Sequence, residues 1–486
     1  MQGHAAMRLT LLAASTLALA ACTTPVSPSG DPSTFSRDPG AHEADFRDLY
    51  KELIETNTTL SVGSCTLASE RMKARLLAAG YPESDLYILV NPKPNRPQDG
   101  NFVAILPGSD PTAKAIMLMA HIDVVEAKRE DWVRDPFVLT EEGGYFYARG
   151  ATDDKAMAAI FTDSMIRFKR EGYKPARTIK LMLNCGEESA NDFIGAKYMV
   201  ESHLDLISAE FALNEGAGGR IDAETGKYTF NGVQAGEKLY QDYTIEVTNP
   251  GGHSSRPVPD NAIYELGAAL MAVQAYEFPI EFNAATRGFF RRMGQITPGQ
   301  EGQDMRDAAD GENAAAIRRL TVNPGYNATL RTTCVATELT AGHAPNALPQ
   351  RATANVNCRI FPGHSQQEIL GVLENVIGNA NVKVAMRSPP ETPIKPPPLP
   401  PEILKPIEQL TEKMWPGVPV IPQMSTGATD ARFTTPAGIT TYGVSGIFAD
   451  PNTSGAHGLN ERVGVKQLME GRMFLHQLVK IYAGGE

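Results

Sequence analysis

Two clusters of acidic and histidine residues follow short, continuous apolar segments. His121-Ile-Asp123 comes directly after residues 115–120, and Glu187-Glu188 follows residues 178–183. Apolar runs of this length are typical of strands buried on both faces. Sites in open α/β sheets form at the carboxyl ends of such strands, where unpaired charge is costly to bury. Residues i and i+2 of a strand point the same way, so Asp123 could orient a metal-ligating His121 ring.

Three further clusters add carboxylates and a second imidazole. Asp153 and Asp154 open a helical pattern, where carboxylates are favoured electrostatically, and a helix N-cap is the favoured interpretation of Asp154. Glu215 follows an apolar segment, and His457 lies near the C-terminus. Carboxylates with imidazoles suit Zn²⁺, with Co²⁺ or Mn²⁺ as substitutes. Two such ions roughly 3.5–4 Å apart would activate a shared water, and a glutamate that is not a ligand would serve as general base.

A mostly parallel sheet is needed to bring these residues together. The strand-like segments at 115–120 and 178–183 alternate with helical patterns at 154–170 and 193–200. This order predicts an α/β fold in which a mostly parallel sheet is sandwiched by helices.

A second, smaller unit of α+β type interrupts this pattern from about Leu239. Its polar stretch 282–327 is interpreted as an insertion that reshapes the unit, and the Pro-rich run 389–401 marks its end. The predicted organisation is a signal peptide (1–22), a flexible tether (23–43), a catalytic domain in two parts (44–238 and 389–486) and an inserted lid or dimerisation domain (239–388).

The N-terminal residues have the pattern of a targeting segment. Arg8 precedes an apolar run that ends in Leu19-Ala-Ala-Cys22, which is typical of a bacterial lipoprotein signal with Cys22 as the acylated residue. A plain secretory signal is the alternative. Either interpretation predicts an exported protein, and the first places it on the periplasmic side of a bacterial membrane through a lipid anchor.

Charge and cysteine content narrow the remaining possibilities. The formal net charge of −11 disfavours a nucleic-acid partner. The absence of a Cys-x-x-Cys pair disfavours a structural zinc knuckle. Cys334 and Cys358 lie on strand-like segments and are either a disulfide or two free buried thiols, whereas Cys185 is interpreted as a buried strand residue.

Six segments together resemble the M20 family of co-catalytic zinc peptidases. That family includes carboxypeptidase G, aminoacylase and succinyl-diaminopimelate desuccinylase, and the sequence is most similar to its carboxypeptidase S and N-acyl-amino-acid hydrolase branch. The resemblance extends from about Ala44 to the C-terminus. The segments that carry it are His121-Ile-Asp123, Gly150-Ala-Thr-Asp-Asp-Lys155, Glu187-Glu188, Asn214-Glu-Gly216, Gly251-Gly-His-Ser-Ser-Arg-Pro257 and Ala456-His-Gly-Leu-Asn-Glu-Arg462.

The resemblance implies a ligand set for two zinc ions in each chain. Asp153 would bridge both ions. His121 and Glu215 would complete one coordination site, and Glu188 and His457 would complete the other.

The resemblance also implies the catalytic groups. Asp123 would support His121, and Glu187 would take a proton from the bridging water and return it to the leaving amine. His253, on the lid, would help to hold the oxyanion of the tetrahedral intermediate. In relatives this histidine can come from the partner subunit, so a homodimer formed through the lid is a further expectation.

Recognition of a substrate carboxylate is a separate prediction. A guanidinium pairs with a carboxylate through two hydrogen bonds, which makes Arg359 the first candidate, with a lid-surface ion pair as its alternative. Asn346 and Thr429 are further candidates for binding substrate, and hydrogen bonds that cap their own loops are an equal alternative.

The predicted activity is therefore hydrolysis of a peptide or N-acyl amino acid that carries a free carboxylate. A dipeptidase or aminopeptidase on the same metal centre is the first alternative, although Arg359 argues against a grip on an α-amine. The second alternative is a lipoprotein that binds peptides without catalysis. Glu187 argues against it, because a pure binder does not need an unliganded base.

Overall fold

The computed structural model describes residues 42–188, 193–450 and 454–485. The predicted signal peptide, the acylation residue Cys22 and most of the predicted tether lie outside these residues. The first described helix begins at Glu43, next to the predicted start of the folded chain at residue 44. No helix in the described ranges has both the length and the apolar character needed to cross a membrane.

Fourteen helices of the α type occur in the described ranges. They are α1 (Glu43–Glu55), α2 (Cys65–Ala78), α3 (Lys155–Arg170), α4 (Gly195–Ser202), α5 (Leu204–Ile207), α6 (Ala262–Ala275), α7 (Ala284–Ile296), α8 (Gly299–Ala308), α9 (Ala314–Leu320), α10 (Pro324–Leu330), α11 (Gln366–Ile377), α12 (Pro401–Met414), α13 (Ala431–Thr434) and α14 (Val465–Ala483).

The same ranges contain nineteen strands. They are β1 (Leu86–Val90), β2 (Gly100–Leu106), β3 (Ile116–His121), β4 (Thr140–Glu142), β5 (Tyr145–Tyr147), β6 (Ile179–Asn184), β7 (Phe211–Asn214), β8 (Gly219–Ile221), β9 (Tyr228–Glu237), β10 (Leu239–Thr248), β11 (Gly252–His253), β12 (Thr333–Ala341), β13 (Ala347–Leu348), β14 (Arg351–Ile360), β15 (Val382–Met386), β16 (Val420–Ser425), β17 (Thr440–Gly443), β18 (Phe448–Ala449) and β19 (Arg462–Gly464).

A ten-stranded sheet forms the centre of the molecule and confirms the predicted α/β class. Its order is β1-β2-β6-β3-β7-β17-β9-β8-β18, and β16 pairs with β9. The central strands β6, β3, β7 and β17 are parallel. Every residue of β3 and β6 is buried, as expected for central strands covered by helices on both faces.

A separate four-stranded sheet lies within the predicted lid. Its order is β12-β14-β10-β15, and all three pairings are antiparallel. Helices α6 and α11 cover one face and share a hydrophobic core with it. Strand β12 is at the edge of this sheet. The short strands β11 and β13 form a two-stranded sheet of their own.

The polar insertion is helical, and it does not simply extend the lid. Helices α7 to α10 enclose a small core of their own, which includes Phe290, Met305 and Leu320. Helix α7 packs on the large sheet, because Arg292 Nη1 donates a hydrogen bond of 2.8 Å to the carbonyl of Val420 in β16. The amide of Glu281 donates to the carbonyl of Leu330 at 2.8 Å, so the two ends of the insertion meet.

Candidate metal centre

Three parallel strands bring the predicted ligands to one edge of the large sheet. Strand β3 lies between β6 and β7. His121 is the last residue of β3, Glu187 and Glu188 follow β6, and Glu215 follows β7 directly. The carboxyl ends of parallel strands meet at one edge of a sheet. The order of the strands therefore places residues that are far apart in sequence next to one another.

Asp153 lies between the two histidines and contacts both. Its Oδ1 is 3.0 Å from His121 Nε2, and its Oδ2 is 3.1 Å from His457 Nε2. Glu215 Oε2 lies 3.8 Å from His121 Nε2, and Glu188 Oε1 lies 2.8 Å from His457 Nε2. The structure thus brings all five predicted ligands together, with one carboxylate oxygen of Asp153 directed toward each half of the cluster.

The spacing of these atoms fits a pair of divalent ions. Ligands of a tetrahedral zinc ion at bonds of about 2.0–2.1 Å are separated by roughly 3.3 Å, and the contacts above bracket that value. The ligand atoms of His121, Asp153 and Glu188 all lie within 4.8 Å of one another, and so do those of His121, Glu187 and Glu215.

An unsatisfied carboxylate oxygen in the same cluster supports the fit. Within the described ranges, Oδ2 of Asp154 is buried and has no hydrogen-bond partner. Asp154 occupies the N-cap position of α3, as the sequence indicates, but its side chain makes no capping hydrogen bond. The capping interpretation is therefore correct for the backbone and wrong for the carboxylate. Burial, with Glu215 close by, raises the pKa of Asp154 well above its usual value.

Burial and crowding strongly perturb the acid–base properties of these groups. Burial, with Glu215 close by, raises the pKa of Glu187 to about 10. Hydrogen bonds to Asp153 and Glu188 raise the pKa of His457 to about 10. Burial opposes ionisation of Asp153, but its contacts with His121 and His457 outweigh that effect and hold its pKa well below the usual value. Because so many carboxylates share one buried site, the site favours positive charge, whether protons or bound cations supply it.

Asp123 supports the centre in two ways, one of which differs from the expectation. The ring Nδ1–H of His121 donates to the main-chain oxygen of Asp123 at 3.0 Å, whereas the nearest carboxylate oxygen is 3.7 Å away. That contact leaves Nε2 free to bind a metal. The carboxylate of Asp123 instead accepts the backbone amides of Glu187 and Glu188, at 3.2 and 3.0 Å. Asp123 therefore positions the segment that carries both glutamates.

Glu461 performs a similar task on the opposite side of the centre, and sequence reasoning assigned it no role. Its carboxylate accepts the backbone amides of Gly150, Thr152 and Asp153, at 3.0, 2.8 and 3.1 Å. It also forms a fully buried ion pair of 2.7 Å with Arg149. Glu461 thus connects the loop of Asp153 to the C-terminal segment. The only sequence signal was that Glu461 and the three amides it accepts lie within the segments Gly150–Lys155 and Ala456–Arg462.

Arg149 extends this connection to the loop of His457. Its Nη2 donates to the carbonyl of Gly458 at 2.8 Å, one residue beyond the histidine. The two segments that carry Asp153 and His457 are therefore held to each other by the buried ion pair of Arg149 and Glu461.

Two disulfides lie within the described residues. Cys334 and Cys358 pair between β12 and β14, which resolves the alternative left open by the sequence. Cys65 pairs with Cys185. Cys185 is buried, as predicted, but it lies just after β6 and its disulfide was not predicted. Cys185 lies two residues before Glu187, and its disulfide attaches that segment to the start of α2.

The lid residues predicted to act on substrate do not join the metal cluster. His253 is exposed on β11, where its Nδ1 accepts the backbone amide of Ser255 at 3.1 Å. Asn346 is exposed beside it, and its carbonyl accepts the amide of Ser254 at 3.1 Å. These contacts place both residues on the small sheet of β11 and β13, within the lid.

Arg359 and Thr429 lie closer to the junction of the lid and the large sheet. The Arg359 guanidinium is 4.7 Å from the centre of the Tyr240 ring. Partial burial of the guanidinium lowers the pKa of Arg359. Thr429 is buried, and its hydroxyl donates to Glu237 Oε2 at 2.8 Å while its amide donates to the same oxygen at 3.0 Å. These contacts reach a different strand, whereas the amide of Ala431 donates to the Thr429 hydroxyl at 3.1 Å, which is the loop-capping contact that was the alternative for Thr429. Burial raises the pKa of Glu237 to about 8.

Comparison with known proteins identifies relatives of the whole chain. The profile of peptidase family M20/M25/M40 matches residues 117–481. The N-fatty-acyl-amino acid synthase/hydrolase PM20D1 of Homo sapiens is 27% identical over 467 residues, covering 93% of this chain and 91% of that protein. The probable carboxypeptidase S-like 2 of Dictyostelium discoideum is 27% identical over 398 residues, covering 77% of this chain and 72% of that protein.

A solved structure supports the same fold. The M20 family metallo-carboxypeptidase Sso-CP2 from Sulfolobus solfataricus matches with a TM-score of 0.69 at 17% identity, covering 90% of this chain and 99% of that one. At this level of identity the match concerns the fold, and it agrees with the large sheet and the inserted smaller sheet described above.

Proposed function

This chain belongs to peptidase family M20/M25/M40 and is a metal-dependent hydrolase of amide bonds in peptides or N-acyl amino acids, and we propose that it uses two zinc ions to release a free amino acid from N-acyl amino acids. The single observation that supports the two-ion proposal best is the position of Asp153. Its two oxygens lie 3.0 and 3.1 Å from two different imidazoles.

Five residues would hold the ions. His121 and Glu215 would serve one, Glu188 and His457 the other, and Asp153 both. Divalent ions at this donor set polarise a carbonyl oxygen and make a bound water more acidic.

The residues of the chain then move the protons. Glu187 is half-buried and lies close enough to His121 and Glu215 to share a metal with them. The five other groups complete the proposed set without it, which leaves Glu187 as the base. Its carboxylate would take a proton from the attacking water and deliver it to the leaving nitrogen. Asp123 holds the backbone amide of Glu187, so the base is positioned before substrate arrives.

The two ends of the substrate would be recognised by different parts of the chain. We assign the carboxylate of the departing amino acid to Arg359, whose guanidinium offers paired donors, and we retain Asn346 as a further contact. We assign the acyl group to the large sheet. The PM20D1 proteins to which this chain is similar are named for N-fatty-acyl amino acids, which favours a long acyl group over a second amino acid.

A substrate panel tests this proposal. Hydrolysis of N-acyl amino acids, their carboxamide analogues and dipeptides would be followed by amine release, with and without a chelator. We expect chelator-sensitive hydrolysis that requires the free carboxylate. Preference for a free α-amine would support the alternative of a dipeptidase or aminopeptidase, and binding without turnover would support a peptide-binding lipoprotein.

We further propose that the lid forms a homodimer. The outer face of α6 exposes Tyr264 and Met271 to 71% and 63%, and the neighbouring edge strand β12 exposes Val335 and Leu339 to 60% and 62%. Contiguous apolar surface next to an uncovered strand edge is typical of an interface. A two-fold axis through this face would add a second lid, whose exposed His253 could complete the metal centre of the first chain.

Mixed dimers test this arrangement directly. His253→Ala and Glu187→Gln chains, each inactive alone, would be unfolded together, refolded and assayed. If His253 acts on the partner's centre, the mixed dimer regains one working site of its two. Random pairing then restores about a quarter of the wild-type activity. No recovery, in a sample shown by mass spectrometry to contain mixed dimers, would indicate that His253 serves its own chain or has no role.

The site of action outside the cytoplasm also remains a proposal. The sequence from Arg8 to Cys22 supports export and acylation, and the two disulfides among the described residues suit an oxidising compartment. Labelling of cells with a radioactive fatty acid should mark the wild-type protein and leave the Cys22→Ala protein unlabelled.

A further inference from the structure

A cavity of about 380 Å³ opens directly beside the metal centre. Asp153 and Glu215 line one end of it, and Met157, Phe230 and Ile447 give it apolar walls. Apart from the acidic residues of the centre, the charged group that lines it is Arg220, which is exposed. A substrate whose scissile carbonyl lies at the metals could thus extend into an apolar space.

A second cavity, of about 420 Å³, continues from the first. Ala217 and Gln423 line both cavities and mark the place where they meet. The second cavity is bounded by the helical insertion, through Phe289, Tyr326 and Thr329. None of the residues that line it carries a formal charge. The combined space is in the range of natural ligand pockets.

The insertion presents its aromatic residues to this cavity in fixed positions. Phe289 and Tyr326 are half-buried outer members of the core that α7 to α10 enclose, with ring centres 6.4 Å apart. The hydroxyl of Tyr326 donates to Glu301 at 2.8 Å, which orients the ring. The side-chain amide nitrogen of Asn283, the residue that caps α7, lies 3.1 Å from the sulfur of Met424. The insertion is therefore tied to the same strand, β16, whose Gln423 lies at the junction of the cavities.

We infer that the two cavities form one groove for the apolar acyl chain of the substrate and that Phe289, Tyr326 and Thr329 determine how long a chain is accepted. This inference rests on the proposed function, because it takes the scissile carbonyl to lie at the metals. The chain would pass from the centre along Gly216, Ala217 and Gly218 and end against the insertion.

An alkyl chain suits this groove better than a peptide does. A peptide would need partners for its amide groups along the whole length, but part of the polar lining of the far cavity is already engaged. The side-chain amide of Gln234 donates to Glu237 at 3.3 Å, and the hydroxyl oxygen of Ser425 accepts the amide of Gly427 at 3.0 Å. The hydroxyl of Thr329 already donates to the carbonyl of Gly325 at 2.9 Å. An apolar chain needs only removal from water, and each buried methylene should raise kcat/KM about three- to fourfold.

A pair of bulky substitutions in the insertion provides the test. Thr329→Trp would fill the far cavity, and Val322→Trp places the same side chain on the insertion at a position that is 81% exposed. For wild type and both variants, kcat/KM would be measured with N-acyl phenylalanines from acetyl to palmitoyl, and folding would be checked by thermal denaturation. Dissociation constants for N-palmitoyl-phenylalanine would be measured by calorimetry with zinc-loaded protein.

We expect kcat/KM to rise with chain length in the wild type and in Val322→Trp. In Thr329→Trp the ratio of palmitoyl to acetyl values should fall about 30-fold, the equivalent of two or three displaced methylenes. Phe289→Ala should act in the opposite direction and raise the ratio of palmitoyl to acetyl values above that of the wild type. This second variant keeps the inference testable if Thr329→Trp does not fold.

The possible failures are distinguishable. Hydrolysis of acetyl substrates with no dependence on chain length would overturn the groove and leave the proposed function standing. The same dependence in all variants would also overturn it, because the chain would lie elsewhere. If no N-acyl amino acid is hydrolysed, the proposed function fails, and binding of the palmitoyl compound tests the groove by itself. Binding that Thr329→Trp weakens would support the groove. Binding that is absent, or that Thr329→Trp leaves unchanged, would overturn the groove.

Discussion

The metal centre and the lid differ in how completely one chain builds them. At the centre, buried carboxylates hold the backbone of the residues that would bind metal: Asp123 fixes the Glu187-Glu188 segment, and Glu461 fixes the loop of Asp153. On the lid, His253 and Asn346 are exposed, and the hydrogen bonds described for them involve Ser255 and Ser254, in the turn that follows β11.

This difference separates two functions of one active site. Groups that stabilise developing charge work best when they are held in place beforehand, and the centre satisfies that condition within a single chain. Groups that close over a substrate must let it enter first. We therefore expect substitutions at the centre to affect metal binding and proton transfer. Substitutions on the lid should affect contacts with the substrate, namely its carboxylate through Arg359 and its developing oxyanion through His253.

The largest effect should come from Glu187→Gln. Loss of the general base should lower kcat by about 10²–10⁴-fold, while metal analysis should still find about two ions per chain. Glu224→Gln, on an exposed turn, is the matched control and should retain activity. Loss of metal together with activity would mean that Glu187 is a ligand.

Glu461→Gln should separate positioning from ligation. The variant loses its charge pair with Arg149 and weakens the hold on the loop of Asp153, so zinc affinity should fall about 10–100-fold. Removing one partner of this buried pair should also cost about 3–5 kcal/mol of stability. Isothermal titration with zinc and thermal denaturation would measure the two effects.

A double variant provides the control for that prediction. Adding Arg149→Met to Glu461→Gln should recover part of the stability, since no unpaired charge stays buried, but not the zinc affinity. Normal zinc affinity in the single variant would show that the loop of Asp153 does not depend on Glu461.

Arg359→Ala should act on the lid side and have a smaller effect. For substrates with a free carboxylate, KM should rise about tenfold, as expected for loss of one charged hydrogen-bonding group. Arg359→Lys should recover little, because an ammonium does not reproduce paired donors. Carboxamide analogues should be processed equally by wild type and variants. Equal effects on both substrate types would assign Arg359 a structural role next to Tyr240.

The smallest effect on turnover should come from removing the Cys65–Cys185 disulfide. This bond closes a loop of 120 residues, whereas Cys334–Cys358 closes one of 24. Loop entropy predicts a larger loss of stability for the Cys65→Ser/Cys185→Ser protein, about 2–4 kcal/mol, than for the other pair. Denaturant titration of both double variants would compare them. A large loss of kcat in the first would mean that the bond positions Glu187 as well.

The sequence predicted the centre better than its surroundings for a physical reason. Buried central strands give a strong local signal, and residues 115–120 and 178–183 locate the ligands at their ends. Contacts over long separations have no such signal: nothing near Cys185 indicates Cys65, and nothing near Glu461 indicates three amides around residue 152. Residues 282–327 were predicted to be a polar insertion without assigned helices, because the short helices bury few residues each and their polar faces hide the pattern.

The insertion closes on itself, and that has a consequence for how such enzymes change. Glu281 and Leu330, which lie just outside residues 282–327, are joined by a backbone hydrogen bond, and helices α7 to α10 enclose a core of their own. A segment with adjacent ends can be exchanged as a cassette without disturbing the chain that flanks it. Chimaeras that carry the corresponding segment of a relative would therefore show whether the substrate range changes when the insertion is replaced and the metal centre is kept.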